Sequence, residues 1–203
     1  RTNNTRKTTT RKTTNGTRAS YVPASNVIYS VYDLNSSSYL EKRNINSTHS
    51  IASLTKLMSS YVFLKNIPSL ENCNIEITEE DRDTLKNTRS HLPKNQDIQC
   101  NKILEATLAF SDNYAASSLS RHVPNFSRSD FIAKMNEQAR KWNMNNTYFA
   151  DSSGLNPKNK STANDLTKFL SKIVDTKEFK IMDSFSTSKS FLLPTAGKPR
   201  LFS

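Results

Sequence analysis

The 203-residue chain has no apolar run of the eighteen or so residues that a membrane helix needs. It has two cysteines, Cys73 and Cys100, and so lacks the four closely spaced ligands of a structural zinc site. The pair stays open to two readings: one disulfide in an oxidising compartment, or buried thiols in a reducing one. Histidine is scarce at three. His49, His91 and His122 read as surface or capping residues, and no histidine-based triad, metal or cofactor is implied. No internal repeat is visible. Residues 1–20 contain no acidic side chain, yet carry Arg1, Arg6, Lys7, Arg11, Lys12 and Arg18, six of the eleven net positive charges. They also have almost no apolar side chains, so the expectation is a disordered basic tail over 1–20 and a folded domain over 21–203. Without interleaved aromatics or a recognition motif, the tail argues against nucleic acid and allows loose attraction to an anionic polymer or membrane surface. The chain opens on Arg1 rather than Met, and the expectation is a processed or trimmed chain, as removal of a secretory signal would leave it.

Folded elements are legible from Val27 onward. The run VIYSVYDL (27–34) is β-branched and aromatic and predicts a strand, with a turn over Asn35–Ser38 and a return over Tyr39–Arg43. NIEIT (74–78) alternates as a short strand, and the charged residues after it read as exposed. A helical period returns at Ile103, Leu104, Thr107 and Leu108, breaks at Ser111-Asp112-Asn113, and resumes from Tyr114 to His122. Ser127 or Ser129 caps a helix with the stripe Phe131, Ile132, Met135, Ala139 and Trp142. Asp151–Lys160 is a loop around Gly154. Ser161-Thr162 cap a further helix, with Asp165 at capping-box spacing and Leu166, Phe169, Leu170 and Ile173 on its apolar face. The last stretch, from about Ser184 to Leu193, reads as strand and loop.

The chemistry-bearing stretch is Ser50–Phe63. Leu54, Leu57, Met58, Tyr61, Val62 and Leu64 make a helical stripe, so Ser53 falls in the first turn and Lys56 one turn later. Residues three apart share a helix face. A serine hydroxyl is a weak nucleophile until a base takes its proton, and a lysine amine can be that base when its pKa is lowered. A second Ser-x-x-Lys, Ser186 to Lys189, lies in an alternating stretch with no helical stripe and is read as strand or loop rather than catalytic. Ser111-Asp112-Asn113 supplies a hydroxyl and an amide at a helix break some fifty residues on, able to bind a lysine and relay a proton.

On these residues the chain resembles the low-molecular-mass penicillin-binding proteins, and within them the D-alanyl-D-alanine endopeptidase branch. The resemblance rests on IASLTKLM (51–58), AFSDNYAASSLSRH (109–122), the stretch from Phe131 ending STANDLTKFL at Leu170, and the YDLN turn (32–35). It implies a mixed α/β fold of the α+β type, β-lactamase/transpeptidase-like, with an antiparallel sheet and a helical subdomain. It also implies that Ser53 attacks a D-alanyl peptide carbonyl, Lys56 takes its proton, and Ser111 passes a proton to the leaving amine. Asn113 would hold Lys56 and the substrate amide, and the Ser53 N–H would be half of an oxyanion hole. The implied partners are peptidoglycan stem peptides and β-lactams, in the periplasm or cell envelope, with D,D-carboxypeptidase as the close alternative. The family's Lys-Thr/Ser-Gly motif is missing: Lys189-Ser190-Phe191 lacks the glycine, and Lys198-Pro199 cannot replace it. The expectation is therefore a fragment without the C-terminal strands, catalytically crippled as it stands, or a truncated non-catalytic cell-wall binder. A class A β-lactamase is disfavoured, because Ser152-Ser153-Gly154-Leu155-Asn156 has serine where that family's glutamate would stand.

Overall fold

The computed structural model describes residues 27–193 and 199–202. The expected disordered tail over 1–20, the domain start at Tyr21 and Lys198 lie outside the described residues. Among the described residues, eight strands and six α-helices follow one another: β1 (Tyr29–Asp33), β2 (Ser38–Arg43), β3 (His49–Ser50), α1 (Thr55–Asn66), β4 (Asn74–Glu76), β5 (Asp97–Gln99), α2 (Cys100–Ala109), α3 (Asn113–Leu119), α4 (Arg128–Lys141), β6 (Lys160–Ser161), α5 (Ala163–Ile173), α6 (Lys177–Ser186), β7 (Phe191–Leu193) and β8 (Arg200–Phe202). The strands form four antiparallel pairs: β1–β2, β3–β6, β4–β5 and β7–β8. None of the helices among the described residues is long and apolar enough to cross a membrane.

Helix α1 is the centre of the packing. Met58, Tyr61, Val62, Phe63 and Leu64 are all buried, and α2, α3, α4 and α6 close around them. A helix apolar on most of its surface is stable only when enclosed, and small polar residues fill its remaining sides: Thr55, Ser59 and Ser60 are buried too. Two positions of the expected stripe depart from it. Leu54 is 49% exposed because it lies in a separate 3-10 turn, Ala52–Leu54, ahead of α1. That turn, not the first turn of α1, carries Ser53. On α5, Phe169 and Ile173 are buried but Leu170 is 41% exposed. Tyr61, Trp142 and Phe169 form an aromatic cluster that ties α1 to α5, with ring centroids 5.2–6.3 Å apart.

Caps follow the sequence signals in part. Ser127 caps α4 in a reciprocal box with Asp130, whose amide donates to the Ser127 Oγ. Thr162 caps α5, but the buried Asp165 carboxylate does not turn back to the cap. It accepts from the Asn146 N–H at 2.8 Å and pairs with Lys168, tying α5 to the preceding connection.

Two expectations are corrected and one open alternative is settled. Helix α6 runs to Ser186, where strand and loop were expected. Thr176 caps it, and Phe179, Met182 and Phe185 recur every three residues to pack on the core. Ser186 is therefore its last residue, and Lys189 lies beyond it. The residues after 74–78 are not all exposed: Asp81 and Asp83 are each 2% exposed. Asp81 is enclosed by Arg121 and Arg128, while Asp83 is wrapped by backbone donors of its own loop. Finally, the alternatives left open for the cysteines resolve to a Cys73–Cys100 disulfide with Cα atoms 5.3 Å apart. It sits at the end of the β4–β5 pair, where the Cys100 N–H also donates to the Cys73 carbonyl.

Candidate active site

Ser53 projects from a strained elbow. Ala52, immediately before it, has φ 44°, a left-handed conformation unusual for a residue with a Cβ. The elbow is braced by the 151–159 loop. The β3–β6 pair leads into it, the Ile51 N–H donates to the Asn159 carbonyl, and Gly154 lies against the elbow's backbone. A Cβ on Gly154 would fall 1.9 Å from the Ala52 carbonyl oxygen, and Gly154 has φ 87°, so only glycine fits. Asp151 shapes this loop by accepting from the N–H groups of Ser153, Gly154 and Asn156 and from the Asn159 amide.

Lys56 sits one turn after the elbow, 2% exposed. Its Nζ donates to three oxygens: Asn113 Oδ1 at 2.8 Å, the Ser153 carbonyl at 2.7 Å and Ser53 Oγ at 3.2 Å. Ser111 Oγ donates to Ser53 Oγ at 2.8 Å. All four residues singled out from the sequence, Ser53, Lys56, Ser111 and Asn113, thus meet at one point. Ser111 is held in the left-handed region at φ 57° on the break between α2 and α3. Asp112 caps α3, accepting from the Ala115 N–H and from Ser90 Oγ.

Burial is the main cause that pulls the Lys56 amine down to about 8. The Asp112 and Asp151 carboxylates oppose it and Lys86 assists it. Burial also pushes the Asp112 carboxyl up, against the hydrogen bonds that favour its charged form.

Sequence reasoning missed several parts of the site. Ser153 belongs to the segment that lacks a β-lactamase's glutamate, yet its backbone carbonyl holds Lys56, a role no side-chain pattern reveals. Thr88, bonded to the Asn113 amide at 2.9 Å, and Asp83 behind it fell in a stretch read as exposed. Gly154, the isolated glycine of its loop, is the signal in the sequence that points to its close backbone approach. Beside Ser53 a cavity of about 300 Å³ is lined by Ile51, Leu54, Leu57, Thr107 and Leu108. A larger one, about 460 Å³, lies by Ser152 and Ser153 against Arg128 and contains neither Ser53 nor Lys56. The His/Cys group among the described residues, Cys73, Cys100 and His122, has both sulfurs committed to the disulfide.

Residues 13–192 match the Peptidase_S11 model, described as D-alanyl-D-alanine carboxypeptidase. The chain belongs to this family. A D-alanyl-D-alanine endopeptidase of Haemophilus influenzae is 43% identical over 86% of the chain and 58% of its own length. One of Escherichia coli is 32% identical over 88% of the chain and 56% of its own length. The chain thus spans about half the length of the curated relatives it matches. Among solved structures, a mutant of a Streptomyces DD-transpeptidase superposes with TM-score 0.73 at 22% identity, over 86% of this chain and 70% of that one. A D-alanyl-D-alanine carboxypeptidase of Mycobacterium tuberculosis gives 0.70 at 23% identity, over 85% and 64%. The fold is that of the DD-peptidases, the mixed helix-and-strand class expected from the sequence.

Proposed function

We propose that the chain is a serine DD-peptidase acting on peptidoglycan stem peptides through an acyl-enzyme on Ser53. One observation carries this: Lys56 Nζ is shared between Ser53 Oγ, Asn113 Oδ1 and the Ser153 carbonyl, with Ser111 Oγ on the other side of the same Ser53 oxygen. As a free amine Lys56 has two N–H bonds. The two nearer acceptors, Asn113 Oδ1 and the Ser153 carbonyl, occupy both, which leaves the lone pair for the Ser53 proton. Ser53 Oγ bonds to the D-alanyl carbonyl carbon as its proton passes to Lys56. The developing oxyanion is met by the Ser53 N–H. Collapse breaks the carbon–nitrogen bond, and the proton returns from Lys56 through Ser111 Oγ to the departing amine. Water then cleaves the ester by the reverse route. A β-lactam would stop at the acyl-enzyme, because its leaving nitrogen stays tethered.

The relatives' names favour an endopeptidase, and the family model's description favours a carboxypeptidase as the second reading. A cell-envelope location accords with the Cys73–Cys100 disulfide, since disulfides persist in oxidising compartments. The basic residues 1–20 fit loose attraction to anionic envelope polymers or a membrane surface.

Fluorescent penicillin tests the reading. The folded chain should be labelled slowly, because the Lys-Thr/Ser-Gly motif is missing from it; Ser53→Ala should abolish the label, and Lys56→Ala should slow it by about a further 10²–10⁴-fold, the usual weight of a general base. Label that persists in Ser53→Ala would overturn it, and a folded wild type that takes none would overturn it in favour of the non-catalytic cell-wall binder that the missing Lys-Thr/Ser-Gly motif allows. Mass spectrometry of cross-linked and of pentapeptide muropeptides separates endopeptidase from carboxypeptidase.

A further inference from the structure

The loop over 83–90 touches the site at two points that no motif covers. Thr88 Oγ1 accepts from Asn113 Nδ2 at 2.9 Å, and Ser90 Oγ donates to Asp112. Behind Thr88 stands Asp83. One of its oxygens takes the Leu85 and Lys86 N–H groups; the other takes the Thr88 N–H and, at 2.6 Å, the Thr88 hydroxyl. A carboxylate offers about four lone-pair sites, and all are filled from this one loop. We propose that Thr88 is a positioning residue for acyl transfer: locked as an acceptor by the Asp83 carboxylate, it fixes the Asn113 side chain with its oxygen toward Lys56. The proposal rests on the DD-peptidase reading for its catalytic consequence, but not for its geometry.

An ionised carboxylate only accepts, so the single Thr88 hydroxyl proton must point at Asp83. Hydrogen bonds to the charged form, those from Thr88 foremost, outweigh burial and hold the Asp83 carboxyl down at about 2, so it stays ionised at any working pH. Thr88 Oγ1 can then offer Asn113 only lone pairs, and only the NH₂ end of the amide satisfies it. Oδ1 is thereby turned to Lys56 Nζ, 2.8 Å away. With the amide reversed, oxygen would face oxygen at Thr88. Its N–H would also donate into the Lys56 lone pair, the one required for the Ser53 proton. The charged groups acting on Lys56 are Asp112 at the head of α3, Asp151 on the glycine loop and Lys86 on the Thr88 loop. A reversed amide would add a donor to this set and disfavour the ammonium form.

The test uses the full chain in two arms. In the first, NMR follows the Asn113 side-chain amide, assigned by its loss in Asn113→Asp. Its protons should exchange with solvent at least about tenfold more slowly than those of the exposed Asn35 and Asn145, as a hydrogen bond to a fixed acceptor requires. Thr88→Val should remove that protection and Thr88→Ser should keep it. In the second arm, Thr88→Val should slow labelling by fluorescent penicillin by about tenfold and Thr88→Ser by less than about twofold, the weight of one hydrogen bond. The acid limb of the pH profile should move to lower pH in the valine variant alone. A wild-type amide that exchanges like the exposed ones overturns the proposal. So do a valine variant equal to wild type in both arms, or a serine variant as defective as valine, which would make the methyl group and its packing the cause. If the wild type takes no label, the DD-peptidase reading falls, and the amide arm alone decides whether Thr88 orients Asn113.

Discussion

At the scale of single residues, Lys56 makes the sharpest statement. Its amine is held at about 8 chiefly by burial, so at neutral pH most molecules carry it protonated and unable to accept from Ser53. Acylation should rise about tenfold per pH unit below about 8 and level off above it, as a single general base requires. Stopped-flow labelling across pH 6–10 reads this directly, and a flat profile would remove Lys56 from the role of base. Gly154 makes a second statement. Gly154→Ala places a methyl carbon 1.9 Å from the Ala52 oxygen in a backbone region that alanine avoids. Overpacking and strain of this kind cost roughly 1–3 kcal/mol or more, and a melting curve should drop by roughly 2–4 °C per kcal/mol for a domain of this size. Ser53, Lys56, Ser111 and Asn113 were legible because their chemistry is in their side chains. The Ser153 carbonyl, the Gly154 approach and the Thr88 oxygen were not, because backbone groups and uncharged hydroxyls become functional only through where the chain puts them.

At the scale of elements, α4 and α5 were readable because a cap and an apolar period agree with each other. Helix α6 was hidden by its charged residues, Lys177, Glu178, Lys180 and Asp183, spread among the apolar ones. A ranking of two substitutions shows what sequence reading weighs wrongly. Ser127→Ala removes the visible cap of α4, and caps are worth about 1 kcal/mol. Asp81→Ala removes an acid that had looked like surface. Its side chain is fully buried, with Arg121 at 2.7 Å just past α3 and Arg128 at 2.9 Å in the first turn of α4. Breaking a buried pair by removing one partner costs about 3–5 kcal/mol. Urea unfolding should therefore place Asp81→Ala well below Ser127→Ala; the reverse order would mean that the two arginines find other acceptors.

At the scale of the whole molecule, the antiparallel pairing and the helical core were expected, but the covalent tie was not decided by the sequence. Two cysteines alone do not say which compartment they meet. The structure settles the pairing, because β4 and β5 bring Cys73 and Cys100 face to face. The bond closes a loop with a separation of 27 residues. Chain-entropy reasoning assigns such a loop roughly 3–4 kcal/mol. Cys73→Ser/Cys100→Ser, or the reduced wild type, should melt roughly 10 °C lower by the same size scaling. An unchanged melting point would show that the unfolded chain gains little freedom when the tie is cut.

Three oxygens converge on one nitrogen from positions 53, 113 and 153, stretches that a ribosome finishes far apart in time. Before they assemble, that nitrogen belongs to an ordinary hydrated lysine with its proton firmly attached. The chain therefore has no base to offer while it is nascent, stretched or half melted. Reactivity arrives together with the last correct contact and leaves with the first one lost, so heating should silence the hydroxyl before the bulk of the helices unwind.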